Sequence, residues 1–144
     1  MSVPRVTLFE DIFHISSLNP EGKKFSSVNR LQGSGTSFGC SLLLDINSDL
    51  YTVKENDKLT IVLASTLDPN GTPSDGTWKE SGTSLADNYD YVTHGKVYLY
   101  QHLGMTAVEI QISFGGLLMQ LKGDREQLEA IEGDMDVYCL IKKG

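Results

Sequence analysis

Between Thr106 and Gly123 the chain leaves itself almost no choice of local structure. Val108, Ile110, Ile112 and Phe114 alternate with Glu109, Gln111 and Ser113, the period-two pattern of a strand with one dry and one wet face. Gly115-Gly116 follows, a pair free to take the positive φ of a two-residue hairpin turn. Leu117, Met119 and Leu121 then alternate with Leu118, Gln120 and Lys122. A two-residue loop sets Phe114 opposite Leu117, Ile112 opposite Met119 and Ile110 opposite Leu121 on one face. The other face pairs Ser113 with Leu118, Gln111 with Gln120 and Glu109 with Lys122. Matched cross-strand pairs contribute roughly 0.2–1 kcal/mol each, and a one-residue slip would turn one apolar row to water. The register is therefore determined.

The rest of the chain supports the same class. Val6 to Ile15 reads as a bulged first strand, with Glu10-Asp11 interrupting its alternation. Asn19-Pro20-Glu21-Gly22 is a turn. Phe25 to Gln32 is a weak second strand, and Gly33-Ser34-Gly35-Thr36-Ser37 a flexible run. Phe38 to Asn47 is a strong strand, with Phe38, Cys40, Leu42, Leu44 and Ile46 on the core face and Asp45 and Asn47 opposite. A short strand at Tyr51 to Val53, another from Leu59 to Ala64 and one at Tyr89 to Gln101 follow. Asp124 as N-cap and Gln127 three residues on predict one short helix over about Asp124–Glu132, ended by Gly133. Asp136 to Lys142 is the last strand.

Thr66 to Asp87 breaks the pattern with Pro69, Asn70-Gly71, Pro73, Asp75-Gly76 and Gly82. A segment this long is read as one large surface excursion. Trp78 either pins it to the body or faces a partner, and pinning is the expectation because a tryptophan buries so much surface. Seven to nine short strands with one helix must close on themselves or pack as two sheets. The prediction is an all-β protein, a closed antiparallel β-barrel spanning residues 1–144 as one domain.

Composition narrows the function. With 144 residues and 40% hydrophobic content, the chain can bury roughly 70% of its extended surface around one core. Lys plus Arg number 12 against 19 Asp plus Glu, a net charge of −7. That balance fits poorly with nucleic acid as the main partner, since phosphate affinity comes mostly from cations. Cys40 and Cys139 lack metal-ligand spacing and read as reduced core thiols of an intracellular protein. No apolar run reaches membrane-spanning length, and Met1-Ser2-Val3-Pro4-Arg5 does not resemble a signal peptide. A soluble chain of the cytosol or nucleus is expected.

Catalytic patterns do not stand out. His14, His94 and His102 form no ligand-like cluster. Gly115-Gly116 joins two strands instead of opening a helix, so it is no phosphate loop, and Gly33-Ser34-Gly35 fails the same test. No metal, cofactor or small-molecule ligand is expected. Lys23-Lys24-Phe25 with Arg30 is the only local basic stretch beside an aromatic. Bases could stack on Phe25 while the cations meet phosphate; a solvated hairpin end is the favoured reading. Leu118 on the wet face, and Tyr98, Leu99 and Tyr100 on both faces of one strand, suggest a second burial against another chain.

Four blocks carry a resemblance: Leu8-Phe9-Glu10-Asp11-Ile12-Phe13, Leu44-Asp45-Ile46-Asn47, Leu85-Ala86-Asp87-Asn88-Tyr89-Asp90-Tyr91-Val92 with Gly95, and Ser113-Phe114-Gly115-Gly116-Leu117-Leu118-Met119. In order and spacing they resemble the eighth-subunit family of eukaryotic DNA-directed RNA polymerases, the small subunit shared by polymerases I, II and III. The resemblance implies an oligonucleotide/oligosaccharide-binding (OB)-like barrel with a long Ω-type loop at Thr66–Asp87. It implies docking on the largest polymerase subunit in the nucleus (the nucleolus for polymerase I) and no activity of its own. It also implies weak, non-specific single-stranded DNA binding over about Asn19–Leu42, where Lys23, Lys24, Phe25 and Arg30 would make contact.

Phe114, Gly115, Gly116, Leu117, Leu118 and Met119 are the expected partner contact, helped by a strand edge, with Leu118 the buried anchor. For Phe114, Leu117 and Met119, closing the barrel is the stronger expectation. The alternatives are a free-standing single-strand-binding module and a small-ligand barrel or enzyme.

Overall fold

The hairpin forms in the register its alternation dictates. Phe114 faces Leu117, Ile112 faces Met119, Ile110 faces Leu121, and Glu109 faces Lys122. At the turn Gly115 has φ +64° and Gly116 φ +101°, the two positive values of a type I′ turn. These strands are β6 (Ala107–Phe114) and β7 (Leu117–Asp124). The computed structural model describes residues 7–20, 22, 26–66 and 88–144.

The other strands are β1 (Thr7–Leu18), β2 (Val28–Gly35), β3 (Ser41–Asn47), β4 (Lys58–Ala64), β5 (Tyr91–His102) and β8 (Asp136–Lys143). All eight join in one closed antiparallel barrel in the order β1-β2-β3-β7-β6-β5-β8-β4. Closure through β1 and β4 gives each strand two neighbours, so backbone edges survive only where a ladder stops short. The strand edge expected to help docking is reduced to such ladder ends.

The core is the inward row of every strand. Phe13, Ile15, Leu31, Leu44, Ile46, Leu59, Leu63, Ile110 and Ile112 lie fully buried within it. Leu128 and Ile131, from the segment after β7, are buried in the same core. That segment is not the predicted helix: among the described residues there is no α-helix, and Asp124–Glu132 is the end of β7 followed by turns. Its hydrogen bonds run i to i−3, from Gln127 N to Asp124 O, Leu128 N to Arg125 O and Ile131 N to Leu128 O. Asp124 accepts from Glu126 N at 2.8 Å, closing a turn instead of capping a helix. Both ends are tied to strands, by Arg125 N to Thr106 O and Asp134 N to Val97 O. So short a tethered stretch does not repay the cost of a helical nucleus.

Three other expectations change. Phe38 lies outside β3, in the turn before it, 43% exposed with its ring 6.0 Å from that of Phe9. Tyr51–Val53 is not a strand; Val53 is buried and the Tyr51 ring packs 5.7 Å from Tyr91. The run Gly33–Gly35 belongs to β2 rather than to a loop. Its glycines answer a close approach, because a Cβ at Gly35 would collide with the Asp11 carboxylate. The Ω-type loop and Trp78 lie outside the described residues, apart from the buried Thr66 at its start.

Candidate interaction surface

The outward faces of β3, β7, β6 and β5 meet in one sheet surface, organised by a break in a ladder. β3 pairs β7 only from Ser41↔Lys122 to Leu44↔Met119. Beyond that point the Asp45 side chain takes over. Buried at 8% exposure, it accepts the Leu118 backbone N–H at 3.1 Å and grips Arg30 through Nε (2.7 Å) and Nη2 (3.1 Å). A bidentate guanidinium–carboxylate pair is both strong and directional. Asp45 therefore holds Leu118 with its side chain half exposed to solvent (38%).

On the far side, a bulge works on β5. Its register with β6 shifts between Val97 and Leu99, and an inserted residue re-aims the side chains around it. Val97 is fully buried and Tyr100 packs against the core, so Tyr98 and Leu99 share the outward side. Tyr98 is 50% exposed, and its hydroxyl donates to Gln111 Oε1 at 2.7 Å. Gln111 Nε2 donates to Glu109 Oε2, and Lys122 Nζ stands 3.6 Å from Glu109 Oε1. A shallow groove of about 80 Å³ lies between Leu43, Tyr98, Gln111, Leu118, Gln120 and Arg30.

The expected contact residues divide. Leu118 and the glycines Gly115 and Gly116 face solvent, Leu117 is half buried against the core, and Phe114 and Met119 point inward at 4% and 1% exposure. Of the expected single-strand contacts, Lys23, Lys24 and Phe25 lie outside the described residues. Arg30 is on β2 with its guanidinium on Asp45. The sequence reading did not single out Leu43, Asp45, Gln111 or Gln120 for this surface. For Asp45 the signals were a carboxylate inside a strongly apolar strand and its place in the Leu44-Asp45-Ile46-Asn47 block.

Little here is disposed to react. Burial, and then the nearby Asp11, pushes the Cys40 thiol up to about 11, and burial alone pushes Cys139 up to about 12. Thiols held protonated are poor nucleophiles. Tyr51 is shifted upward by burial and by Asp90, whose carboxylate accepts its hydroxyl at 3.2 Å. Among the described residues no three His, Cys, Asp or Glu side chains gather closely enough to hold a metal ion. Among the described residues no helix is long and apolar enough to cross a membrane.

Fold and surface together define a small closed-barrel protein with an outward sheet surface set by Asp45 and the β5 bulge. A family model described as RNA polymerase Rpb8 matches residues 10–143. The chain is 40% identical over 141 residues to the probable subunit RPABC3 of DNA-directed RNA polymerases I, II and III of Caenorhabditis elegans, covering 94% of this chain and 95% of that protein. It is 38% identical over 141 residues to subunit 8B of DNA-directed RNA polymerases II, IV and V of Arabidopsis thaliana, covering 96% and 97%. Subunit RPABC3 of DNA-directed RNA polymerases I, II and III of Saccharomyces cerevisiae is 36% identical over 146 residues, covering 95% and 98%. The chain belongs to the RNA polymerase Rpb8 family.

Proposed function

We propose that this chain is a non-catalytic subunit common to DNA-directed RNA polymerases I, II and III, docked on the largest subunit and supporting transcription in the nucleus. One observation carries the reading: similarity to polymerase subunits runs over nearly the full length of both chains. The closed barrel supports it, because a rigid cylinder can be held by a larger machine without changing shape. Leu118 is the proposed anchor, set in the groove beside Tyr98, with the Gly115-Gly116 turn next to it. The inward Phe114 and Met119 shape this contact from behind, and Leu117 helps to hold the turn. In polymerase I the same role places the chain in the nucleolus.

Affinity purification of the full chain followed by mass spectrometry tests the assignment. Polymerase subunits are expected to co-elute, and a wild-type eluate without them would refute the role. Leu118→Asp should reduce co-elution while leaving the free barrel folded, because a buried anchor contributes about 2 kcal/mol or more. Undiminished co-elution would move the contact elsewhere.

Nucleic acid is not the principal ligand in this reading. The net charge is −7 and Arg30 is held by Asp45. Weak contact with single-stranded DNA through Lys23, Lys24, Phe25 and Arg30 stays a subsidiary proposal. Salt-titrated binding decides it, since tight binding with a steep salt slope would favour the free-standing single-strand module instead.

A further inference from the structure

We infer that the groove between β3, β7 and the β5 bulge receives one uncharged aliphatic side chain from an extended segment of the partner protein, whose backbone pairs with the Gln120 amide. The inference rests on the assembly role proposed above and adds the chemistry of what is bound.

Size is the first argument. The groove measures about 80 Å³ and its apolar walls are Leu43, Leu118 and Tyr98. An enclosed cavity of about 150 Å³ accepts a benzene ring, so an open groove of about half that volume favours a branched aliphatic group over an aromatic one.

Charge is the second. Arg30 is matched by Asp45 at 2.7 Å and Lys122 by Glu109 at 3.6 Å. An incoming phosphate or ammonium would have to compete with a partner already in place and lose its own hydration. A neutral segment faces neither cost.

The third is an amide left over. Tyr98 and Glu109 occupy the Gln111 side chain. Gln120 sits opposite Gln111 on β6 and Leu43 on β3, lining the same groove half buried. Among the described residues, no hydrogen-bond partner meets its side chain. A primary amide offers a donor and an acceptor side by side, which matches one peptide unit of an extended backbone.

The test uses assembled polymerase carrying the full chain, with Tyr98 replaced by the photo-reactive p-benzoylphenylalanine. Irradiation and mass spectrometry should locate a crosslink on an aliphatic residue within an uncharged stretch of a polymerase subunit. A crosslink to nucleic acid or to a charged cluster would overturn the inference. So would no crosslink in polymerase that still carries the chain, an outcome that leaves the assembly role standing. In the second arm, Gln120→Ala should weaken retention about fivefold, as for one lost hydrogen bond, and Tyr98→Ala about tenfold or more. Thermal melts of both variants should match wild type; retention equal to wild type in both would refute the proposed occupant. If wild-type chain fails to join polymerase at all, the role itself falls and this inference with it.

Discussion

Two buried carboxylates do most of the residue-level work. Asp11 stands in the inward row of β1 at 4% exposure and accepts backbone N–H groups from Ile12 (2.7 Å), Ser37 (3.1 Å) and Phe38 (3.1 Å). It thereby fastens the turn between β2 and β3 to the barrel wall. Asp11→Ala strands these donors, and urea unfolding should show a loss of about 3 kcal/mol. Asp45→Ala leaves both Arg30 and the Leu118 N–H without their carboxylate. Arg30 is 37% exposed and can turn to water, so the expected loss is smaller than for a fully buried pair, about 2 kcal/mol. The informative comparison is retention on polymerase: Asp45→Ala should lower it through Leu118, whereas Asp11→Ala should lower stability alone.

At the scale of elements, the strands that read clearly are those whose alternation is undisturbed. β6 and β7 have the register their residues dictate, and β4 and β8 keep the expected inward rows of Leu59, Ile61, Leu63 and Val137, Cys139, Ile141. Where long-range contacts intervene, strand boundaries are misread, although the bulging expected of β1 is present. β1 runs on to Leu18 and shifts register against both neighbours, between Ile15 and Ser17 and between Thr7 and Phe9. β5 begins at Tyr91 and needs Gly95, because a Cβ there would strike the Ser113 carbonyl and the Phe114 ring. Gly95→Ala should cost about 2 kcal/mol by overpacking. Gly116→Ala, which meets no neighbour but holds φ +101°, should cost about 1 kcal/mol through backbone strain alone. Denaturant midpoints falling in the reverse order would contradict this account of the two glycines.

For the whole molecule, the buried thiols give stability a pH signature. Both cysteines have pKa values raised in the fold, from 9.0 to about 11 for Cys40 and to about 12 for Cys139. Their contribution is fully present below the unfolded value and is lost as pH climbs through the folded ones. Tyr51, also shifted upward from 10.0, acts in the same direction, beginning about one pH unit above the cysteines. The denaturation midpoint should therefore hold level with respect to these groups up to about pH 9 and fall from there toward pH 12. Neither thiol should react with a disulfide reagent at pH 8 until the barrel unfolds. Rapid labelling of native protein would show that the closed wall is open to solvent.

Alternation, turn glycines and charge balance are carried by neighbouring residues. The sequence by itself therefore determined an all-β chain, the β6–β7 register, the inward rows and a net charge of −7. The tertiary structure alone decided that Asp45 meets Leu118 across 73 residues and Asp11 meets Ser37 across 26. It also decided that a bulge turns Tyr98 outward and that tethered ends keep the segment after β7 from becoming a helix. Each of these depends on groups brought together only by barrel closure, where burying a polar atom is tolerable once a distant partner completes its hydrogen bond.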